Sequence, residues 1–189
     1  MPNLPISQLP ELTAVTQNAE FAVAQSGTTY KVKAGNIASG NSYGAFLSTN
    51  TQSALSTTAA YSMSADTTTL SNGITVVDGC KFTVVSAGTY NLQFSAQVES
   101  SQGGSPELLD IWLSKNGNNV DYSNTQLSLN SNNGKIVAAW NFVESLNAGG
   151  YFELKWSVSS TAIQLVTTGT HANPTRPAVP SVIVTVTQV

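Results

Sequence analysis

The residues whose side chains could perform catalysis are few and scattered. The chain of 189 residues has one histidine, His171, one cysteine, Cys80, and ten acidic residues that stand apart from one another. Hydrolysis needs a base beside a nucleophile, or a pair of carboxylates with shifted pKa values. His171 lies instead in the loop-forming stretch Gly169-Thr170-His171-Ala172-Asn173-Pro174, which favours an exposed loop or interface residue. The sequence therefore predicts that the protein is not an enzyme.

A resident metal ion or cofactor is not predicted either. The sequence has no Asp-x-Asp-x-Asp-Gly loop and no comparable cluster of oxygen ligands. Cys80 has no partner for an intrachain disulfide, and its neighbours Val77 and Phe82 favour a small buried side chain. Two alternatives stay open. Cys80 could have an intersubunit or reactive role, and three-fold symmetry could bring three copies of His171 to one axis and form a metal or anion site there.

Composition and charge narrow the possible partners. Charged residues make up 9% of the chain, against about 25% in an average soluble domain, which favours a hydroxyl- and amide-rich surface packed in an assembly. The net charge is -3 and the seven basic residues are scattered, so nucleic acid is not expected as a partner. No apolar run approaches the roughly 20 residues that span a bilayer, and the Met1-Pro2-Asn3 start lacks the features of a signal peptide. We expect a soluble protein, made in a cytoplasm, without membrane insertion.

Alternation with a period of two residues recurs through most of the chain. Between Thr89 and Glu99 apolar and polar side chains alternate, which predicts a half-buried antiparallel strand. Further strands are predicted at Lys81 to Val85, Leu108 to Ser114, Gln126 to Leu129, Lys135 to Leu146, Tyr151 to Val158, Ala162 to Thr167 and Ser181 to Val189. Gly, Asn and Pro separate them. The pattern predicts an all-β domain over residues 38–189, a sandwich, jelly roll or barrel, and periodicity alone does not choose among these.

The first part of the chain has a different organisation. Pro2, Pro5 and Pro10 exclude helix. The segments Phe21 to Gln25 and Thr29 to Val32 then flank Ser26-Gly27, a turn pair, and predict a hairpin. A two-stranded hairpin is marginal in water, so this piece must dock on something. We expect a separate segment over residues 1–37, with one helical turn at Ala34 to Ile37, and a polar connector over Ala34 to Ser56.

Three motifs resemble one known fold family. They are Ala87-Gly88-Thr89-Tyr90-Asn91-Leu92-Gln93-Phe94, then Leu113-Ser114-Lys115-Asn116-Gly117, then Leu146-Asn147-Ala148-Gly149-Gly150-Tyr151-Phe152-Glu153-Leu154. In this order they resemble the tumour-necrosis-factor-like jelly roll of complement globular heads, over about residues 43 to 189. Gly150 stands where that family usually has an acidic residue. The resemblance implies an antiparallel jelly-roll sandwich that assembles as a homotrimer.

The beginning of the chain resembles a second group of proteins. Ile6-Ser7-Gln8-Leu9-Pro10-Glu11-Leu12, followed by Glu20-Phe21-Ala22-Val23 and Thr29-Tyr30-Lys31-Val32, is similar to the short leader of phage tail-fibre and other virion appendage proteins. The last strand, Pro180 to Val189, is similar to the terminal strand of phage-encoded jelly rolls. The resemblance implies that residues 1–37 anchor the protein to a tail, baseplate or capsid partner. The anchor residues would be Ile6, Leu9, Leu12, Phe21, Val23, Tyr30 and Val32.

The aromatic side chains are candidates for a core, an interface or a sugar-binding site. Trp156 shares a strand face with apolar neighbours, which predicts burial in the core. Trp112, by contrast, shares its face with Leu108 and Asp110, opposite an apolar face. The strands that carry Trp112, Trp140 and Phe142 are apolar on both sides, which predicts one face in the core and one in a subunit interface. We therefore expect these three residues at the trimer interface.

Together these observations predict a phage virion structural protein, a trimeric fibre or capsid decoration protein located in the virion. Its head would contribute to host attachment by binding a glycan or protein through loops, because loops carry recognition on rigid sandwiches. The loop residues expected to do so are Asn118, Asn119, Tyr122, His171 and Arg176. The alternative is a stand-alone, lectin-like carbohydrate-binding module.

Overall fold

The computed structural model describes residues 18–33, 41–101, 106–129 and 134–189. All regular elements in these ranges are β-strands, so the expectation of an all-β protein is confirmed. No helix in these ranges is long and apolar enough to cross a bilayer. The chain forms two compact units, residues 1–40 and 41–189. Ile37, where a boundary was expected, and the helical turn predicted at Ala34 to Ile37 lie outside the described residues.

The first unit contains the predicted hairpin. Strand β1 (Glu20–Gln25) pairs antiparallel with β2 (Thr28–Lys33), and Gln25 lies opposite Thr28. The two turn residues both have positive φ, 50° at Ser26 and 77° at Gly27. This is the backbone of a tight turn whose twist matches that of the paired strands, and glycine adopts it without strain.

The second unit, which we call the head, contains the other strands. In chain order they are β3 (Tyr43–Ser48), β4 (Gln52–Ser53), β5 (Tyr61–Ser62), β6 (Thr67–Asn72), β7 (Ile74–Val77), β8 (Lys81–Val84), β9 (Gly88–Ser100), β10 (Glu107–Lys115), β11 (Asn118–Asn119), β12 (Thr125–Leu129), β13 (Lys135–Leu146), β14 (Tyr151–Val158), β15 (Ile163–Leu165), β16 (His171–Ala172), β17 (Thr175–Arg176) and β18 (Val182–Gln188). The long predicted strands agree with these bounds to within a few residues.

Most head strands belong to two seven-stranded sheets. Sheet I has the order β11-β10-β14-β8-β7, with β12 on β10 and β5 on β14. Sheet II has the order β4-β15-β9-β18-β3-β6, with β13 on the free side of β9. Strands β16 and β17 form a small separate hairpin.

The pairing of the eight principal strands is nested. The first, β3, pairs with the last, β18; β8 pairs with β14; β9 pairs with β13; and β10 pairs with β12, all antiparallel. Each strand therefore pairs with one that is far away in sequence, except at the innermost pair. The chain crosses repeatedly between the two sheets.

One apolar core lies between the sheets. The apolar face of β9 is buried as predicted, from Tyr90 to Val98, and Trp156 on β14 is 1% exposed. Phe46 of sheet II meets Phe82 of sheet I with ring centroids 5.4 Å apart. Full burial of a side chain of this size contributes about 1.5–3 kcal/mol, so this core stabilises the scaffold that positions the head's surfaces.

The expected connector over Ala34 to Ser56 is wrong for its second part. Tyr43–Ser48 forms β3, which pairs with β18 on one side and β6 on the other. Its buried face consists of Gly44, Phe46 and Ser48, so two of its three inward positions are small and the apolar period is absent. Gly44 is required because a Cβ there would lie 2.4 Å from the Phe46 ring.

Candidate assembly and attachment surfaces

The outer face of sheet II carries no charge over three successive rows of paired residues. The rows run across β13, β9, β18 and β3, and we call this surface the uncharged face. It consists of Val143, Asn91, Thr187 and Tyr43, then Asn141, Gln93, Thr185 and Ala45, then Ala139, Ser95, Ile183 and Leu47. Val143 is 55% exposed, Tyr43 44% and Ile183 41%. Apolar, hydroxyl and amide groups thus share a broad sheet surface without ions.

Strand β13 borders this face and has a free backbone edge. Over its 12 residues it pairs only with β9 in the described part of the head. Trp140 and Phe142 point toward the core but remain partly exposed. The ring centroids of Phe94 and Trp140 are 4.7 Å apart, in an edge-on contact. The indole Nε1 of Trp140 is buried and has no hydrogen-bond partner among the described residues.

A cavity of about 240 Å³ lies beside these two aromatic residues. Its lining includes Trp140, Phe142, Asp121 and Tyr122. Tyr122 is fully exposed and has a φ of 60°, a conformation that is uncommon for a residue other than glycine. The edge of β13 therefore presents accessible aromatic surface that a neighbouring molecule would bury.

Trp112 lies on a different surface from Trp140 and Phe142. It is on the outer face of sheet I, where its Nε1 donates to Asn119 Oδ1 at 2.8 Å and Lys155 lies opposite it on β14. The three residues expected at one interface are therefore not brought together by the fold. Sequence periodicity gives the side of a strand on which a residue lies, but it does not assign that strand to a sheet.

The outer face of sheet I, which we call the mixed face, contains a buried ionic cluster. Glu153 is 5% exposed, and its Oε1 accepts hydrogen bonds from Ser62 Oγ at 2.9 Å and Lys155 Nζ at 3.2 Å. Lys155 Nζ also donates to Ser62 Oγ at 2.7 Å. A serine beside a lysine is a nucleophile-and-base pair only when the amine is neutral. Lys155 Nζ lies 3.2 Å from Glu153 Oε1, so the geometry fits a structural ion pair.

Cys80 adjoins the same cluster and is partly exposed, not the fully buried residue expected from its flanks. Its Sγ lies 3.8 Å from Glu153 Oε1. Burial, followed by the negative charge of Glu153, raises the pKa of the Cys80 thiol above its usual value. The thiolate is the reactive form, so this site lowers the nucleophilicity of Cys80.

The hairpin of the first unit has one apolar face and one polar face. Phe21 lies opposite Val32 and Val23 opposite Tyr30, so these four predicted anchor residues share one side. Phe21 is 41% exposed and Tyr30 53%. Glu20 and Lys31 form an ion pair of 2.9 Å. Ile6, Leu9 and Leu12, the other predicted anchor residues, lie outside the described ranges.

The five loop residues expected to bind a host surface lie in two separate regions. Asn118 and Asn119 form β11 beside the end of β10, and Tyr122 follows them near the edge of β13. His171 and Arg176 face each other in the β16–β17 hairpin. That hairpin leaves sheet II between β15 and β18.

The described hydrogen bonds of the His171 side chain lie within its own hairpin. Its Nδ1 accepts a hydrogen bond from the Asn173 backbone N at 3.2 Å. The described ranges contain no group of three His, Cys, Asp or Glu side chains that could hold a metal ion. A site made from three copies of His171 stays a prediction.

No family model and no curated protein matches the chain.

Proposed function

We propose that the chain is a trimeric virion structural protein of a tailed phage. The head is a self-assembling jelly roll that contributes to host attachment, and the hairpin unit attaches it to a tail, baseplate or capsid protein. The observation that carries the proposal is the uncharged face of sheet II beside the free edge of β13. The proposal assigns the protein a binding and structural role in the virion, without catalysis, and the carbohydrate-binding module remains the alternative.

The strand pairing supports a jelly roll. Pairing first with last, second with second-last and so on is the result of rolling one long antiparallel ribbon into two sheets, which is the topology of a jelly roll. The pairs β3–β18, β8–β14, β9–β13 and β10–β12 follow this order. The tumour-necrosis-factor-like variant of the fold rests on the motif resemblance described above.

The uncharged face supports self-assembly because of what its burial costs. A charged side chain loses several kcal/mol of hydration when an interface covers it, and stable interface cores are depleted of charge for this reason. The three rows between Val143 and Leu47 incur no such cost. Apolar side chains such as Ile183 gain from burial.

The edge of β13 supports the same conclusion. An unpaired, long strand edge is a template for unwanted pairing unless something covers it. When the edge of one copy packs on the uncharged face of the next, two different surfaces meet, and such contacts close into a ring if the rotation allows. Trp140 and Phe142 would lie in that contact, whereas Trp112 would remain outside it. The number three rests on the resemblance.

The amphipathic hairpin supports attachment by the first unit. Its apolar face is exposed, and a two-stranded hairpin is marginally stable on its own. Docking on a partner would bury Phe21, Val23 and Tyr30 and add stability. The virion as the location of that partner rests on the resemblance of the leader.

The assembly part of the proposal is tested with one charge on each outer face. We expect the purified chain to be a trimer and Ile183→Glu to be a monomer, measured by size-exclusion chromatography with light scattering. Ser128→Glu is the matched control, because Ser128 is exposed on the outer face of sheet I, and it should remain trimeric. A monomeric wild-type chain, or a trimeric Ile183→Glu, contradicts the proposal.

The attachment part uses the same readout together with particle incorporation. Tyr30→Asp places a charge on the apolar side of the hairpin, so we expect normal trimers that no longer co-purify with phage particles. Thr29→Asp, on the opposite side of the same strand, is the control and should be incorporated. Equal incorporation of Tyr30→Asp and wild type would show that this face is not the anchor.

A further inference from the structure

Residues 168–179 form a projecting arm. Every residue of the arm is exposed. Its base is closed by two backbone hydrogen bonds between Thr168 and Val179, of 3.0 and 2.8 Å, and Thr167 Oγ1 donates to Val179 O at 2.7 Å. Nearer the tip, His171 pairs with Arg176 across β16 and β17. The arm is therefore held in place by hydrogen bonds at its base, while the residues of its tip are exposed.

The arm arises beside the uncharged face. Its base residues Thr168 and Val179 share a cavity of about 200 Å³ with Gln97, Lys135 and Val137. Gln97 and Val137 are on the outer side of sheet II, one row beyond the uncharged face. If a second copy covers that face, the arm must lie next to the second copy.

Arg176 is the only arginine in the chain, and it differs from the lysines of the head. All four head lysines form ion pairs of 2.7 to 3.2 Å: Lys81 with Asp78, Lys115 with Glu144, Lys135 with Glu99 and Lys155 with Glu153. The Arg176 guanidinium has no ion pair or hydrogen bond within the described residues. A guanidinium that can donate two parallel hydrogen bonds to a carboxylate is thus left unpaired on the arm.

Asp121 is the corresponding unpaired acid. Seven of the eight head carboxylates have partners. Four of them form ion pairs with the lysines: Asp78, Glu99, Glu144 and Glu153. Three others accept hydrogen bonds from Thr, Asn, Gln or Ser side chains: Asp66, Asp110 and Glu107. Asp121 accepts none within the described residues. It lies beside Trp140 and Val143, at the edge of β13 that is proposed to dock on the next copy.

We propose that Arg176 of one copy forms an ion pair with Asp121 of a neighbouring copy. This inference rests on the proposed self-assembly, which brings the surface with the arm against the edge with Asp121. The molecule that the tip of the arm contacts is therefore a second copy of this chain. Head-to-tail contact repeats the pair once per copy and closes it around the ring.

The energetics favour an effect on specificity and lifetime of the assembly. An exposed ion pair contributes little, but a pair that an interface shields from water couples more strongly, and like charges placed there are unfavourable. Because the uncharged face has no ions of its own, this pair would fix the rotational register in which one copy docks on the next.

The test is a charge swap in the full chain, read out as the subunit concentration at which half of the assembly dissociates. We expect Arg176→Asp and Asp121→Arg each to raise that concentration about tenfold or more, and the double variant to return it to within about threefold of wild type. The far-ultraviolet circular dichroism should be unchanged, and so should the Tm of the dissociated, monomeric heads, because both side chains are exposed within one copy.

The matched control swaps a pair that lies within one copy. Asp78→Lys with Lys81→Asp exchanges an exposed pair 2.7 Å apart, and neither single variant should alter dissociation by more than about twofold. If the Arg176 and Asp121 variants assemble as wild type does, or if the double swap is as weak as the worse single variant, the pairing is wrong. These results leave a trimeric wild type intact, so they are distinct from failure of the proposed function, in which the wild-type chain itself is monomeric.

Discussion

The two outer faces of the head both consist of polar and apolar residues, but one contains charged side chains and the other has three rows without any. The mixed face of sheet I holds Glu153, Lys155 and Asp110, each with hydrogen-bond partners from its own chain. The uncharged face of sheet II holds no ion in three rows, and its apolar side chains are left exposed. The ionic groups of the mixed face therefore have their hydrogen-bond partners within their own chain.

The difference affects how much free energy it would cost to cover each surface. A face that keeps ionic groups is stable in water and costly to cover, whereas a face without them is cheap to cover and gains little from water. The strands of sheet I contain six charged residues and those of sheet II contain three, so the contrast arises from which strands carry the few charged residues of the head. Three measurements test this contrast between the two faces.

The largest expected effect separates the two partly exposed tryptophans. In the monomeric Ile183→Glu background, Trp140→Ala should lower the free energy of unfolding by about 2–3 kcal/mol, less than a fully buried tryptophan would. Trp112→Ala should cost about 1 kcal/mol, because only its contacts with one face of sheet I are lost. Urea unfolding measures both. In the otherwise wild-type chain, Trp140→Ala should weaken assembly and Trp112→Ala should leave it unchanged. If Trp112→Ala weakens assembly and Trp140→Ala does not, the assembly surface lies on sheet I and not on sheet II.

The next effect tests whether the mixed face is satisfied by its own chain. Glu153→Gln leaves the half-buried Lys155 ammonium without its counter-ion, so we expect a loss of about 1–3 kcal/mol in urea unfolding. Asp78→Asn removes an exposed ion pair and should cost less than about 0.5 kcal/mol. Equal stability of the two variants would mean that the Glu153 cluster does not stabilise the fold.

The smallest effect concerns Asp66, at the margin of sheet II. Its slight burial alone would raise the pKa, but hydrogen bonds from Thr67, Thr49 and Asn50 outweigh burial and hold the pKa below its ordinary value of 3.8. A lowered folded-state pKa contributes stability that is present above the unfolded-state pKa and is lost as pH falls through the folded-state pKa.

Asp66→Asn should therefore remove part of the acid dependence of stability below about pH 4. At neutral pH the difference between the variant and wild type should be less than about 1 kcal/mol, because the carboxylate is exposed and screened. Thermal unfolding between pH 2.5 and 7 measures this. Parallel profiles for the two proteins would exclude a role for Asp66 in acid sensitivity.

The long strands could be predicted from sequence because their inward positions are large and apolar. In β9 and β14 every second residue is Tyr, Leu, Phe, Val or Trp, apart from one Ala, and the observed burial follows that pattern. β3 could not be predicted because Gly44 and Ser48 fill inward positions, and their burial depends on neighbouring strands. The short strands β4, β5 and β11 have two residues each, too few for any period to show.

The candidate surfaces were predictable only in part. The anchor side of the hairpin follows from alternation and one turn, so Phe21, Val23, Tyr30 and Val32 could be grouped from sequence. Trp112 and Trp140 could not be separated, since the same two-sided pattern occurs in strands of either sheet. Tyr122 and Arg176 belong to two loops that are far apart in the sequence, and no local pattern shows whether the fold brings these loops together.

The all-β class, the hairpin, the principal strands and the apolar side of each strand follow from the amino-acid sequence, because these features depend on neighbours two residues apart. The tertiary structure is needed to show which strands pair, and therefore that four strands combine into one uncharged face. It also shows that the side chains of Arg176 and Asp121 have no ion pair among the described residues. Pairing joins residues far apart in sequence, and no local pattern records which partner a strand selects.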